Sequence, residues 1–174
     1  VPLLLFLPVF ISGSIAVDSL TEEIDRGTLE LLRVSPVSFA DIVDGKLLAA
    51  AGLAPVQAAL WIGLLRLNGT TVAHPALLVA LVTSLAVLVV SLALAIAVVA
   101  PDRRTAQLFY SVGVLLIFGG STLLPINPTN ATARLAIDSA DPTSVATVAV
   151  LAGIAVGAYG GLRVLVGRLD PAAI

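Results

Sequence analysis

Five long apolar runs divide this chain and constrain its fold more than any other feature. Each is roughly 17 to 25 residues long, the length at which an α-helix crosses a hydrocarbon core of about 30 Å. The runs cover residues 1–17, 47–65, 76–100, 107–124 and 143–166. Because backbone polar groups inside a bilayer must bond within the segment, we expect an all-α integral membrane protein. Its single domain, residues 1–174, would be a bundle of about five transmembrane helices.

The composition supports a membrane protein and excludes several function classes. Hydrophobic residues make up 59% of the chain, charged residues only 11%, and the mean hydropathy is +1.10. A soluble domain would carry about 25% charged residues. The net charge of −2, without a basic tract, provides no electrostatic footprint for nucleic acid. The absence of cysteine excludes disulfides, thiol catalysis and thiolate metal sites.

The start of the chain predicts that a natural N-terminal part is missing, because it begins with valine inside an apolar run and the chain contains no methionine. Pro8 predicts a kink in the first helix. A signal peptide is the alternative interpretation of this run, since residues 14–16 resemble a small-x-small cleavage site. The lack of a basic residue before the run argues against it.

The polar segment of residues 18–46 holds half of the charged residues of the chain. Its first part is acidic, with Glu22, Glu23, Asp25 and Glu30 against Arg26 and Arg33. A plain interfacial helix that anchors the loop is one explanation, but such helices are usually rich in Lys and Arg. Because an acidic helix is repelled by an anionic leaflet, docking of a protein partner fits the charge better.

Local signals inside this segment predict two helix starts. Ser19 with Glu22 fits a capping box that would begin a short amphipathic helix along the interface. Gly27 would weaken or bend that helix, and Pro36 would stop it. Ser38 with Asp41 fits a second capping box, from which a helix would continue into the membrane.

The distribution of basic residues predicts the orientation. If residues 18–46 are cytoplasmic, the inside set is Arg26, Arg33, Lys46, Arg103, Arg104, Arg163 and Arg168, and the outside set is Arg66 and Arg134. We therefore expect a multi-pass protein of the cell (plasma) membrane with residues 18–46 and the C-terminus in the cytoplasm. The loops 66–75 and 125–142 would be external, which places the Asn68 and Asn130 glycosylation patterns outside.

A longer motif in the polar segment resembles a known family. Glu23-x-Asp25-Arg26-Gly27-Thr28-Leu29-Glu30-x-Leu32, then Ser35-Pro36-Val37-Ser38 and Gly45-Lys46, resembles the E-x-E-R-G-T-L-E-x-L…(S/T)-P-V-S…G-K signature of ABC-2-type transporter permeases. The departure is Asp25, where glutamate is commoner. The order of the spans is similar over essentially the whole chain. The resemblance implies that these are the second to sixth helices of a six-helix permease.

The resemblance also implies a function and its partners. In the family this loop carries a cytoplasmic coupling helix that sits in a groove of the ATPase subunit. The chain would be the permease subunit of an ATP-driven ABC transporter, an exporter, together with a separate ABC ATPase and a second permease copy or homologous half in the lipid bilayer. The residues implied for ATPase coupling are Glu22, Glu23, Asp25, Arg26, Gly27, Thr28, Leu29, Glu30 and Pro36. The alternatives are a non-transporting assembly or structural subunit and a membrane-embedded enzyme, for which no catalytic constellation is visible.

Cofactor signals are missing from the chain itself. No G-x-x-x-x-G-K-[ST] loop is present, because Gly45-Lys46 lacks the upstream glycine and the following Ser or Thr. His74 has no second His or Cys and only distant carboxylates along the sequence, so we expect no metal site. The chain is therefore not expected to be an enzyme by itself or to bind a cofactor; ATP and magnesium would belong to the partner subunit.

The spans carry no Asp, Glu, Lys, Arg or His away from their ends, which argues against a self-contained ion-coupled carrier. Candidates for lining a transport path are the hydroxyl-bearing residues Thr83, Ser84, Ser91, Tyr110, Ser111, Ser121, Thr122 and Tyr159. The alternative is that these hydroxyls simply bond to helix backbones.

The last span carries a stripe of small residues, Gly153, Gly157 and Gly161, which lets helices approach closely. We favour packing within the chain over packing between two chains. Asp141 and Pro142 before this span are typical of the N-cap and first residue of a helix.

Overall fold

The computed structural model describes residues 2–27, 38–123 and 125–168. These residues form six α-helices and no strand. The helices are α1 (Pro2–Asp25), α2 (Phe39–Leu67), α3 (Pro75–Val99), α4 (Arg103–Gly120), α5 (Pro128–Ala136) and α6 (Pro142–Arg168). The all-α prediction is confirmed.

Five of the helical segments are long and apolar enough to cross a membrane: Leu5–Asp25, Phe39–Leu67, Pro75–Val99, Arg103–Leu123 and Pro142–Arg168. The predicted bundle of about five membrane helices is therefore confirmed. Most of these helices extend beyond the apolar runs into polar sequence. Helices can extend in this way because intrahelical hydrogen bonds do not require apolar side chains, and side chains that accept free backbone N–H groups cap the starts of α2, α4 and α6.

Helix α3 is the centre of the bundle and packs against each of the other five helices. Its fully buried side chains include Leu78, Leu81, Leu85 and Leu94. Spacings of three and four residues keep such side chains near one face, but α3 is buried on several faces, as expected for an all-round apolar helix surrounded by neighbours.

Helix α4 is peripheral, with only Ala106 and Tyr110 buried. It is held to α1 by aromatic contacts of Phe118, whose ring centroid lies 5.3 Å from that of Phe6 and 4.5 Å from that of Phe10. The Tyr110 hydroxyl donates to the Phe10 carbonyl oxygen at 2.7 Å. A hydrogen bond between two helices in an apolar bundle defines the register of α4 against α1, although α4 itself is weakly buried.

Gly13 on α1 makes this contact with α4 sterically feasible. A Cβ atom at residue 13 would run into the ring of Tyr110, whereas a Cβ at any of the other thirteen glycines would meet nothing within 4 Å. Gly13 is therefore the glycine at which the absence of a side chain is required by packing.

The second of the two predicted capping boxes is confirmed. The Asp41 N–H donates to Ser38 Oγ at 3.2 Å, and the Ser38 N–H donates to Asp41 Oδ2 at 3.1 Å. Asp141 also caps as predicted, since its Oδ1 accepts the Ser144 N–H at 2.8 Å, just before α6 begins at Pro142.

The predicted capping box at Ser19 is wrong. Helix α1 continues without interruption to Asp25, so Ser19 lies in its interior. Continuity is favoured because Leu20 is fully buried and Ile24 packs against the core, which extends the apolar face of the helix. Gly27 does not bend a helix; it follows the end of α1 with φ of 66°, a left-handed conformation that glycine adopts without strain.

The external loop predicted over residues 125–142 contains the short helix α5. Asn127 caps it, with Oδ1 accepting the Thr129 N–H at 2.9 Å, and Pro128 is its first residue. Its apolar face, including Leu135, is buried against α3 and α6. Backbone bonds from Ala73 and His74 to its C-terminal carbonyls attach the α2–α3 connection to it.

Candidate functional site

The end of the bundle where α1 stops and α2 starts carries a set of ion pairs between helices. Lys46 Nζ on α2 lies 2.8 Å from Glu23 Oε1 on α1 and donates to Ser19 Oγ, one turn away on the same face of α1. The Lys46 side chain is only 16% exposed and that of Glu23 is 38% exposed. The pair therefore ties α1 to α2 at the base of the polar segment.

Two further pairs connect this end of the bundle to α4 and α6. Arg103 directs two guanidinium nitrogens to Asp18 Oδ1, at 2.8 Å from Nε and 2.7 Å from Nη2. Arg163 Nη1 on α6 lies 2.8 Å from Asp44 Oδ2 on α2, and the Tyr159 hydroxyl donates to the other Asp44 oxygen at 3.3 Å. Four helices are thus linked by charged contacts at one end.

The two ends of the bundle differ in their basic residues. Arg26, Lys46, Arg103, Arg104, Arg163 and Arg168 belong to the end that carries these ion pairs. At the opposite end, Arg66 donates to the Val72 carbonyl oxygen at 3.0 Å, and Arg134 pairs with Asp141. The antiparallel helices therefore separate the two predicted basic sets, apart from Arg33, which lies outside the described residues.

Apart from Glu23, the residues implied for ATPase coupling divide into three groups. Thr28, Leu29, Glu30 and Pro36 lie outside the described residues. Asp25, Arg26 and Gly27 are exposed at the end of α1. Glu22 pairs with Arg26 at 2.5 Å across one helical turn on the outer surface.

Glu23 differs from its neighbours, because its carboxylate is turned to Lys46 within the chain. A reversal of its charge would disturb an internal ion pair as well as any partner contact. The sequence pattern did not reveal this pairing, although the lysine belongs to the same motif.

The candidate path-lining residues mostly bond to the backbone of their own helices. Thr83, Ser84, Ser111 and Ser121 donate to carbonyl oxygens three or four residues earlier. Tyr110 lines an apolar cavity of about 210 Å³ between α3 and α4, and Tyr159 lines a different, mostly apolar cavity of about 350 Å³. The structure does not bring the hydroxyls together there, so a path lined by them remains a prediction.

Two buried hydroxyls form an exception. Ser12 on α1 and Ser91 on α3 are 0% and 1% exposed, and among the described residues neither Oγ has a hydrogen-bond partner. Ser91 was a candidate from the sequence, whereas Ser12 was not, because a single serine in an apolar run carries no signal of its burial.

The prediction that the glycine stripe of α6 packs within the chain is wrong. Gly153, Gly157 and Gly161 are exposed, and an added Cβ would meet nothing within 4 Å. The buried face of α6 instead contains Leu151, Ala155 and Leu162. Larger apolar side chains bury more surface against α3, so the stripe is rotated outward.

The described parts of the chain contain no group of three or more His, Cys, Asp or Glu residues that could hold a metal ion. One detail of the sequence argument is corrected, since a carboxylate is close to His74 after all. His74 Nε2 lies 3.1 Å from Asp138 Oδ1, brought there by the left-handed turn at Asp138 with φ of 60°. One carboxylate and one imidazole do not make a structural metal site.

Carboxylates at two helix starts are stabilised in the charged form. The Thr105 N–H, followed by the Thr105 hydroxyl, lowers the pKa of Asp102 at the start of α4. The Ser144 hydroxyl, followed by the Ser144 N–H, lowers the pKa of Asp141 at the start of α6. Both are capping interactions at helix N-termini.

Comparison with protein families matches residues 1–158 to the model of the ABC-2 family transporter protein. No curated protein matches the chain, and no solved structure matches it. The family match covers α1 to α5 and most of α6, including the whole of the polar segment.

Proposed function

This chain belongs to the ABC-2 family of transporter proteins, and we propose that it is the permease subunit of an ATP-driven exporter, coupled to a separate ABC ATPase through residues 18–46. Family membership makes it a multi-pass membrane permease of an ABC transporter. The proposal adds the direction of transport, ATP and magnesium bound by the partner, and a second permease copy or homologous half.

The observation that supports this proposal is the set of ion pairs at the base of the polar segment. The segment connects α1 to α2, and its base is linked to α4 through Asp18–Arg103 and to α6 through Asp44–Arg163. A displacement of the loop by a partner would therefore pull on four helices together. Hydrogen-bonded ion pairs transmit such a displacement because they have a defined geometry.

The orientation of the proposal rests on charge. The end with the polar segment carries most of the basic residues, and short loops rich in Lys and Arg stay in the cytoplasm. A cytoplasmic ATPase would then meet the exposed residues Asp25, Arg26 and Gly27 at the end of α1. Glu23 would act inside the permease, holding α1 against α2 through Lys46.

Charge-reversed variants of the full-length protein separate these two roles. Arg26→Glu alters an exposed residue whose described partner is Glu22, one turn away. It should reduce co-purification of the ATPase by about tenfold, the effect of losing roughly 1.4 kcal/mol of binding. Arg104→Glu, which changes an exposed arginine at the same end outside the loop, is the matched control and should leave co-purification unchanged.

The second comparison concerns Glu23. Glu23→Lys should lower both stability and ATPase recovery, and Glu23→Lys combined with Lys46→Glu should restore stability because the pair is re-formed with exchanged charges.

Wild-type ATPase recovery in the Arg26→Glu variant, or equal losses for Arg26→Glu and Arg104→Glu, would count against coupling through this loop.

A further inference from the structure

The turn that ends α5 contains an aspartate at a position where glycine is usual. Asp138 follows the last turn of α5 with φ of 60°, and the Ser139 N–H donates to the Arg134 carbonyl oxygen at 3.0 Å. This is the hydrogen bond of a Schellman ending, in which the left-handed residue is most often glycine. Aspartate adopts the left-handed conformation more readily than most residues, but less readily than glycine. The turn therefore carries a carboxylate that its backbone geometry does not require.

The Asp138 carboxylate contacts a distant part of the chain. Its Oδ1 lies 3.1 Å from Nε2 of His74, the N-cap residue of α3. The Ala73 N–H donates to the Ala136 carbonyl oxygen at 3.2 Å. The His74 N–H donates to the Leu135 carbonyl oxygen, also at 3.2 Å. Three contacts thus attach the α2–α3 connection to the end of α5, and one of them contains a titratable imidazole.

His74 makes this attachment sensitive to pH. Histidine is the side chain whose charge ordinarily changes between pH 5 and 8, and the chain contains one histidine and no cysteine. A neutral imidazole can donate an ordinary hydrogen bond to a carboxylate, whereas an imidazolium donates a charge-assisted bond, which is shorter and stronger. Because a carboxylate ordinarily stays ionised in this range, the contact is strengthened as the pH falls towards 5 and weakened as the pH rises towards 8.

The other charged groups around His74 do not take the place of Asp138 among the described residues. Arg66 at the end of α2 donates to a carbonyl oxygen two residues before His74, at 3.0 Å. Arg134 of α5 is paired with Asp141, which caps α6. The first turn of α3 carries no acidic residue, and the positive N-terminal end of that helix opposes protonation. Removal of the Asp138 carboxylate should therefore remove the pH response.

We propose that His74 and Asp138 form a pH-sensitive latch, which fastens the α2–α3 connection to the end of α5 more tightly at about pH 5.5 than at about pH 8. The latch lies at the end of the bundle opposite residues 18–46, which the distribution of basic residues predicts to be external. Its state then follows the external pH. The proposal rests on contacts at this end alone, so its test is independent of ATPase coupling.

Hydrogen exchange of the Ala73 and His74 amides, measured by NMR on the purified full-length protein in detergent, reports opening of the latch. Each rate is corrected for the intrinsic exchange rate at that pH. His74 and Asp138 have side chains that are 36% and 79% exposed, and ion pairs this exposed have modest effects. We expect opening in the wild type to decrease about two- to fivefold from about pH 8 to about pH 5.5.

Asp138→Asn is the informative variant, because asparagine also adopts the left-handed conformation but is uncharged. The two amides should then lose most of their dependence on pH. Asp138→Gly, which fits the turn without strain, should lose it as well, so the effect cannot come from a distorted turn. Asp25→Asn, which neutralises an exposed aspartate at the opposite end, is the matched control and should keep the wild-type response.

Thermal unfolding at about pH 8 establishes that each variant is folded. A wild-type response that is lost in Asp138→Asn and Asp138→Gly and kept in Asp25→Asn would support the latch. Opening of the two amides that does not change with pH in the wild type, or that changes equally in the wild type and Asp138→Asn, would overturn the proposal.

Discussion

Replacing Lys46 with methionine tests the contact that joins α1 to α2. Methionine keeps most of the apolar stem but removes the ammonium group. That group lies 2.8 Å from Glu23 Oε1 and also donates to Ser19 Oγ. The change therefore removes the ion pair and leaves Glu23 and Ser19 without their lysine partner, while packing along the stem is largely preserved.

The expected magnitude follows from the burial of the two side chains. Exposed ion pairs contribute about 0.2–1 kcal/mol, whereas breaking a fully buried pair costs about 3–5 kcal/mol. Lys46 is 16% exposed and Glu23 is 38% exposed, so this pair lies between the two limits. We expect Lys46→Met to cost about 2 kcal/mol, which for a chain of this size lowers the Tm by roughly 4–8 °C.

Thermal unfolding in one detergent, applied to the wild type, Lys46→Met, Glu23→Gln and the double variant, isolates the pair as a coupling free energy. We expect a coupling free energy of about 1 kcal/mol, which is less than the full cost of Lys46→Met. The contact with Ser19 is lost with Lys46→Met whether or not Glu23 is also changed, so it cancels from the coupling. Arg104→Met, at an exposed arginine of the same end, is the control. A coupling below about 0.3 kcal/mol, within the usual error of additivity, would refute the inference that this pair holds the two helices together.

Two further predictions concern helix packing and helix capping. Gly13→Ala should lower the free energy of unfolding by about 1–3 kcal/mol, because the new Cβ meets the ring of Tyr110 in a packed contact. In the same thermal unfolding assay, Gly157→Ala on the open face of α6 should be neutral or stabilising. Equal effects of the two variants would contradict the α1–α4 contact. For Asp141 the folded pKa is lowered by the Ser144 hydroxyl and N–H, so its stabilisation of α6 is complete above the ordinary pKa of about 4 and is lost as the pH falls through the lower folded value. Loss of this stabilisation at low pH should open the first turn of α6, which hydrogen exchange corrected for the intrinsic rate would detect. The opening should occur in the wild type and not in Asp141→Asn. The same opening in both proteins would argue against the carboxylate as its cause.

Structural features that depend on residues close together in the chain were predictable from the sequence. The five spans followed because an apolar run of sufficient length is a local property and because a bilayer leaves the backbone few alternatives. The caps at Ser38 and Asp141 followed for a similar reason, since donor and acceptor are three residues apart. The family motif was also contiguous, and the match over residues 1–158 confirms the family it indicated.

Local signals failed where burial decided the outcome. Ser19 and Glu22 have the spacing of a capping box, yet α1 continues through them because Leu20 is buried against the rest of the bundle. The residues of α5 were expected to form a loop, because the apolar face of this helix is short. The helix is stabilised by packing against α3 and α6, which are distant in the sequence.

The sequence by itself determined the membrane class, the number of spans and the placement of charge at one end, because each depends on composition over a short stretch. Tertiary structure alone decided that Lys46 pairs with Glu23, that Gly13 rather than the stripe of α6 receives a close neighbour, and that Asp138 meets His74. These contacts join residues from different parts of the chain. They depend on how each helix is rotated about its axis, and that rotation is determined by packing of the whole bundle.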